Sequence, residues 1–189
     1  MPEHFTDLEA AVDYLLQRVP GPLRLATPLA LGKPHRLLNQ LYRRIEADPS
    51  RPLQIYTALS LTPPSAGSDM ERRFLQPFSQ RHFGEDFSVL DYARAIKRDA
   101  LPPHIQVEEF YMQSGALLNS TQAQRHYASL NYTHVAAALA QRQVNAVVQK
   151  VARDPAGGPR LSLSCNNDLT QDTLDAIAAR GLPRPVLVA

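Results

Sequence analysis

The chain has 189 residues, of which 44% are hydrophobic and 20% charged, and a formal net charge of +2. That length and mixture suit one α/β domain with its own core, and so small a charge argues against nucleic acid or a membrane surface as a partner. A lone cysteine, Cys165, excludes an internal disulfide, while an N-terminus without an apolar signal core and no apolar run near the ~20 residues of a membrane span lead us to expect a cytoplasmic protein.

Leu8, Val12, Leu15, Leu16 and Val19 recur at helical spacing and predict an amphipathic helix over 7–19, with Thr6 as N-cap and Pro20-Gly21-Pro22 as its stop. A short strand over 23–26 follows. After the loop through Leu31-Gly32, Pro34 opens a second helix that carries Leu37, Leu38, Leu41, Tyr42 and Ile45 on one face. Residues 53–61, with Ile55, Tyr56 and Thr57, read as the next strand. This β-loop-α-β order predicts an α/β fold: an open, mostly parallel sheet with helices on both faces.

Residues 62–68 read as an exposed loop, rich in proline and hydroxyl groups. Residues 69–100 predict a helical insertion over the sheet, not a second domain, with Phe74, Phe78, Phe83 and Phe87 as a core stripe. The parallel pattern then resumes. A strand is expected over 105–110, a turn at Gln113-Ser114-Gly115 and a short helix capped by Ser120. An extended segment follows over 127–132, then a helix from Thr133 to Ala140. An apolar strand over 144–151 pairs antiparallel with 161–164 across Gly157-Gly158. A helix over 170–180 stops at Gly181, and the apolar run 185–189 reads as a buried strand. That run lacks a trailing polar residue, so the chain reads as the front part of a longer protein.

In an open parallel sheet, junctions between a strand and the next helix gather along the carboxyl edge. Ligands bind there, and helix N-termini favour carboxylates or phosphates. The junctions in this chain are Leu31-Gly32-Lys33-Pro34, Gln113-Ser114-Gly115, Asn131-Tyr132-Thr133-His134 and Asn166-Asn167-Asp168. Each also reads as a cap or a turn, and none is a phosphate-binding fingerprint. None of the six histidines has a helical i,i+4 partner, and Cys165 has no CxxC partner, so no metal site is expected. Ser114 lacks a nucleophile elbow. Glu108 and Glu109 are adjacent on a strand, point to opposite faces and cannot act as one acid–base pair.

The order of these pieces resembles the N-terminal half of the acetyl-CoA hydrolase/transferase family, which includes 4-hydroxybutyrate and acetate CoA-transferases. Gly32-Lys33-Pro34-His35-Arg36-Leu37-Leu38 is similar to the family's loop and leucine-rich helix. Asn131-Tyr132-Thr133-His134-Val135 lies where the family has a polar loop. Val144-Asn145-Ala146-Val147-Val148-Gln149-Lys150-Val151 resembles a family strand leading to a Pro/Gly turn. Leu161-Ser162-Leu163-Ser164 through Asp168, with Thr170 and its helix, resembles the "SLG…D…T" segment, Ser164 standing at the glycine. Pro185-Val186-Leu187-Val188-Ala189 matches the strand before an "EVN"-type continuation.

The resemblance implies an enzyme of two similar α/β halves. A glutamate of the C-terminal half attacks the acyl-CoA thioester, giving an acyl-glutamyl anhydride and then a glutamyl-CoA thioester. A carboxylate or water resolves it, and glycine-rich amides of that half stabilise the oxyanion. No residue of this chain matches that glutamate, so this chain alone is expected to be inactive. It would supply one wall of the cleft, with Gly32, Lys33, Ser114, Gly115, Asn131 and His134 as substrate contacts. Coenzyme A enters as the thioester substrate and no cofactor is implied. The expected partners are acyl-CoA, small carboxylates and the C-terminal half, with homo-oligomerisation left open. Hydrolase and transferase are not distinguished. The alternative is a non-catalytic α/β module that binds an acyl-CoA or carboxylate.

Overall fold

The computed structural model describes residues 3–158, 160–163 and 169–189. Its centre is a five-stranded sheet in the order β3-β2-β1-β4-β7, with every neighbouring pair parallel. The strands are β1 (Leu23–Ala26), β2 (Leu53–Thr57), β3 (Ile105–Glu109), β4 (Ala146–Val148) and β7 (Val186–Val188). Between β4 and β7 the chain forms a separate antiparallel pair, β5 (Ala152–Arg153) with β6 (Leu161–Ser162). The antiparallel pairing expected between 144–151 and 161–164 is not formed: residues 146–148 pair parallel on both sides, and the antiparallel partner of 161–162 is the following pair 152–153, outside the main sheet. The reason lies after Val148: Gln149 N–H still bonds Val188 O at 2.9 Å, and Lys150 N–H then turns to Gly32 O at 2.8 Å. The chain leaves the sheet at that point.

Strand alternation divides the core in two. Leu23 and Leu25, Leu53 and Ile55, Ile105 and Val107, Ala146 and Val148 face one side. That side is covered by α1 (Leu8–Arg18), α2 (His35–Glu46) and α4 (Asp91–Lys97). Ala26, Tyr56 and Val147 face the other, which is covered by α6 (Val135–Gln141) and α7 (Thr170–Ala179). Short α5 (Thr121–Arg125) packs Ala123 into the first core, its N-cap Ser120 accepting from Ala123 N–H at 3.2 Å.

Several boundaries differ from the expectation. Helix α1 is capped by Asp7, not Thr6: the Asp7 carboxylate accepts from Ala10 N–H at 2.9 Å, and an anion suits the helix N-terminus better than a hydroxyl. Strand β2 stops at Thr57, because Leu59 takes a left-handed φ of 44° that no ladder tolerates. A turn at Tyr132–His134 precedes α6 and delays it past Thr133. Strand β7 is an edge strand with Leu187 exposed, not a buried one.

The largest correction concerns 69–100. Helix α3 (Asp69–Phe83) runs through Pro77, is capped by Ser68 and contributes nothing to the core. Phe74 is 80% exposed and Phe78 46%, so the aromatic stripe does not fill the core. Helix α4 behaves in the opposite way: Tyr92, Ala95 and Ile96 are buried, and α4 is the crossover between β2 and β3. Half of the segment is an integral part of the fold and half lies outside it. No helix among the described residues is long and apolar enough to cross a membrane.

Candidate functional site

The connections after β1 and β4 run to opposite sides of the sheet: β1 leads towards β2 and β3, β4 towards β7. Such a switch point opens a crevice at the carboxyl ends, where open α/β sheets take their ligands. The residues with unusual chemistry lie at this end.

Lys33 follows β1 and is 2% exposed. Its ammonium donates to Ala58 O and, at 3.3 Å, to Leu59 O, both just past β2. The backbone around these carbonyls is strained. Leu59 and Ala30 both adopt left-handed φ, 44° and 48°, and Ala30 N–H bonds Leu59 O at 3.2 Å. Non-glycine residues in this region cost about 1–3 kcal/mol each, and such strain clusters at ligand sites. One buried cation thus locks the two loops against each other.

Glu109, the last residue of β3, shares the face of Ile105 and Val107 and is 5% exposed. Ser60 Oγ donates to its carboxylate, and Tyr92 OH lies 2.8 Å from Ser60 Oγ. Since the Ser60 proton goes to Glu109, the Tyr92 hydroxyl is the donor of that second bond. Burial raises the Glu109 carboxyl above its ordinary value of 4.5, and the Ser60 bond and the Lys33 charge oppose the rise. His35 opens α2 beside Lys33. Its Nδ1 donates to Ser88 O at 2.6 Å, and desolvation first, then the Lys33 and Lys150 charges, hold its pKa below 6.5. The imidazole is therefore neutral at pH 7.

Glu108 faces the other way, as strand alternation requires, and pairs with the Arg142 guanidinium of α6. Arg142 also lies 5.6 Å above the Tyr56 ring. Nearby, a narrow cavity of about 50 Å³ runs between the strand ends and α6, reaching Thr170 and Thr173 of α7. Thr27 Oγ1 lines it, buried and without a hydrogen-bond partner among the described residues. The space suits a few waters at most. On the opposite face, the loops after β2 and β3 and helices α3 and α4 enclose about 520 Å³ over Ser60 and Glu109.

The residues expected at the site fall into three places. Gly32 and Lys33 are buried at the carboxyl edge between β1 and β4. Ser114 and Gly115 form an exposed turn, where Gly115 has a φ of 76° that favours glycine. Asn131 and His134 are exposed, and the Asn131 side chain accepts from Thr133 N–H at 3.2 Å, capping the turn that leads into α6. The fourth junction, Asn166-Asn167-Asp168, and Cys165 lie outside the described residues. Ser60, Tyr92 and Glu109 were not singled out as a site. Their sequence signal was the parity of β3, which sets a carboxylate in line with Ile105 and Val107.

Among the described residues no group of three or more His, Cys, Asp or Glu side chains is placed to hold a metal ion. Comparison with family models, with curated proteins and with solved structures finds no match for this chain.

Proposed function

We propose that this chain is one α/β half of an acyl-CoA hydrolase or carboxylate CoA-transferase, and that its carboxyl sheet edge forms one wall of the substrate cleft. The observation that carries the reading is the pair of strained loops after β1 and β2, held together by buried Lys33 beside a cavity floored by Ser60 and Glu109. Rigid loops at a sheet's carboxyl edge position a ligand for chemistry done by another group. The order of sequence motifs supports the same family.

The catalytic glutamate belongs to the second half in this reading. Glu108 is held in an ion pair with Arg142, and Glu109 is buried against Ser60. A nucleophilic carboxylate must reach a thioester carbon, and neither of these is presented that way. The same observation favours a second reading, a non-catalytic module that binds an acyl-CoA or a carboxylate.

Binding and turnover measured on one sample test the proposal. CoA and acetyl-CoA are titrated into the chain by NMR, and thiol release is followed with acetyl-CoA and several carboxylates. Binding at the carboxyl edge without turnover is the expected result. Turnover of about 1 to 1,000 per second by these 189 residues would place a nucleophile here and overturn the division of labour. Absence of binding at millimolar ligand would overturn both readings. The two readings part on the product of the complete reading frame: acyl-CoA turnover selects the enzyme, binding alone selects the module.

A further inference from the structure

The 520 Å³ cavity on the α4 face lies within the size range of small-molecule sites, about 300–1,000 Å³. Its walls are mostly apolar: Leu61, Phe78, Phe83, Ile96, Met112 and Leu117 line it, with Thr62, Ser65 and Gln113 among them. This also gives Phe78 and Phe83 a place, since α3 buries nothing in the core and yet turns two aromatic rings towards this space.

The floor carries polar groups, but they are spent on one another. Tyr92 OH donates to Ser60 Oγ, and Ser60 donates to Glu109. An apolar body can lie over that chain without breaking any of its hydrogen bonds. At the rim stands Lys97, exposed at the end of α4. The arrangement is therefore largely apolar, with a cation among the residues that line it.

We propose that this cavity is an acyl pocket, taking the apolar chain of an acyl-CoA substantially longer than acetyl, with the thioester at the mouth beside Lys97. The inference rests on the CoA reading of the same edge and adds the substrate class. A free fatty acid shares the chemistry, an apolar chain with an anionic head.

The test is calorimetric titration of the whole chain with octanoyl-CoA, acetyl-CoA, CoA and octanoate, repeated with Ala116→Trp and Lys97→Met. Ala116 is exposed and borders the cavity, so an indole there blocks the space without entering the core. A buried methylene is worth about fourfold in affinity. Octanoyl-CoA is thus expected to bind at least about tenfold tighter than acetyl-CoA. Ala116→Trp should abolish that difference while leaving acetyl-CoA affinity and melting temperature unchanged. Lys97→Met should weaken octanoate, whose carboxylate meets the ammonium, severalfold and leave the octanoyl-CoA preference over acetyl-CoA in place.

Equal affinity for octanoyl-CoA and acetyl-CoA would overturn the pocket and leave the CoA reading standing. So would an octanoyl preference that survives Ala116→Trp. Octanoate binding as tightly as octanoyl-CoA, with CoA itself not binding, would keep the pocket, assign it to a free acid and overturn the CoA reading. Failure of all four ligands to bind would overturn both.

Discussion

At the scale of single residues, Lys33 is the group whose burial most needs explaining. An ammonium at 2% exposure is costly unless its protons are taken, and the carbonyls of Ala58 and Leu59 take them. Both carbonyls come from the loop after β2, where Leu59 has a left-handed φ of 44°. Lys33→Met leaves them without that donor and removes the Lys33 charge that acts on Glu109. The substitution is expected to cost about 1–3 kcal/mol in urea unfolding, the scale for leaving a buried acceptor without its donor. A loss under ~0.5 kcal/mol, the range of ordinary surface changes, would show that the loops hold without it. Glu109 adds a pH signature. Its folded pKa lies above the unfolded one, because burial outweighs Ser60 and Lys33. Between the two values the native state holds more protons than the unfolded chain. The stability Glu109 contributes is therefore complete below its unfolded pKa of about 4.3 and is lost as pH rises through the folded value. Glu109→Gln removes this dependence. The stability difference between variant and wild type should shift in favour of the variant from about pH 4 to about pH 8, and a flat difference would contradict the assignment.

At the scale of elements, legibility followed burial. Helices α1 and α2 were readable because their apolar residues recur at helical spacing and end up in the core: Val12, Leu15, Leu38, Leu41 and Ile45 are at most 2% exposed. Periodicity misled at α3, where Met70 and Phe74 also follow the helical period but face outward. Spacing reports that one face is apolar and says nothing of what covers it. The two helices of this segment are thus expected to respond oppositely. Phe74→Ser on α3 should leave the unfolding free energy within about 0.5 kcal/mol. Ile96→Ala on α4 should cost about 2–5 kcal/mol, since it opens a cavity between α4 and the sheet. Comparable losses from both would mean that α3 is covered in solution. The candidate site was legible only in part for a related reason. Lys33 could be singled out because a cation follows a strand in a glycine-proline loop, but its partners Ala58 and Leu59 offer backbone carbonyls, which sequence does not display. Ser60 and Tyr92 meet Glu109 only once α4 has crossed from β2 to β3.

At the scale of the whole molecule, the parallel sheet was readable from the alternation of strands and helices, but the strand order was not. The connection from β3 through α6 passes back over β2 and β1 before β4 pairs with β1. That return creates the switch point, and it is a long-range property with no local sign in residues 110–145. The order also fixes which strands are edges. At one edge, β3 is joined by a bridge from Glu109 to Tyr127 and flanked by α5. At the other stands β7, three residues long, with Leu187 44% exposed. An apolar edge strand carrying no charge is a template for pairing with another chain, and a lysine within it is the usual protection. Concentration-dependent association through β7 is therefore expected in analytical ultracentrifugation. Leu187→Lys should shift the distribution towards monomer and leave the melting temperature nearly unchanged, because an exposed side chain contributes little to the fold. The exposed stripe on α3 is the rival contact surface, and Phe74→Ser serves as its control. If Phe74→Ser dissociates the assembly and Leu187→Lys does not, contact runs through the helix and the sheet edge takes no part in it.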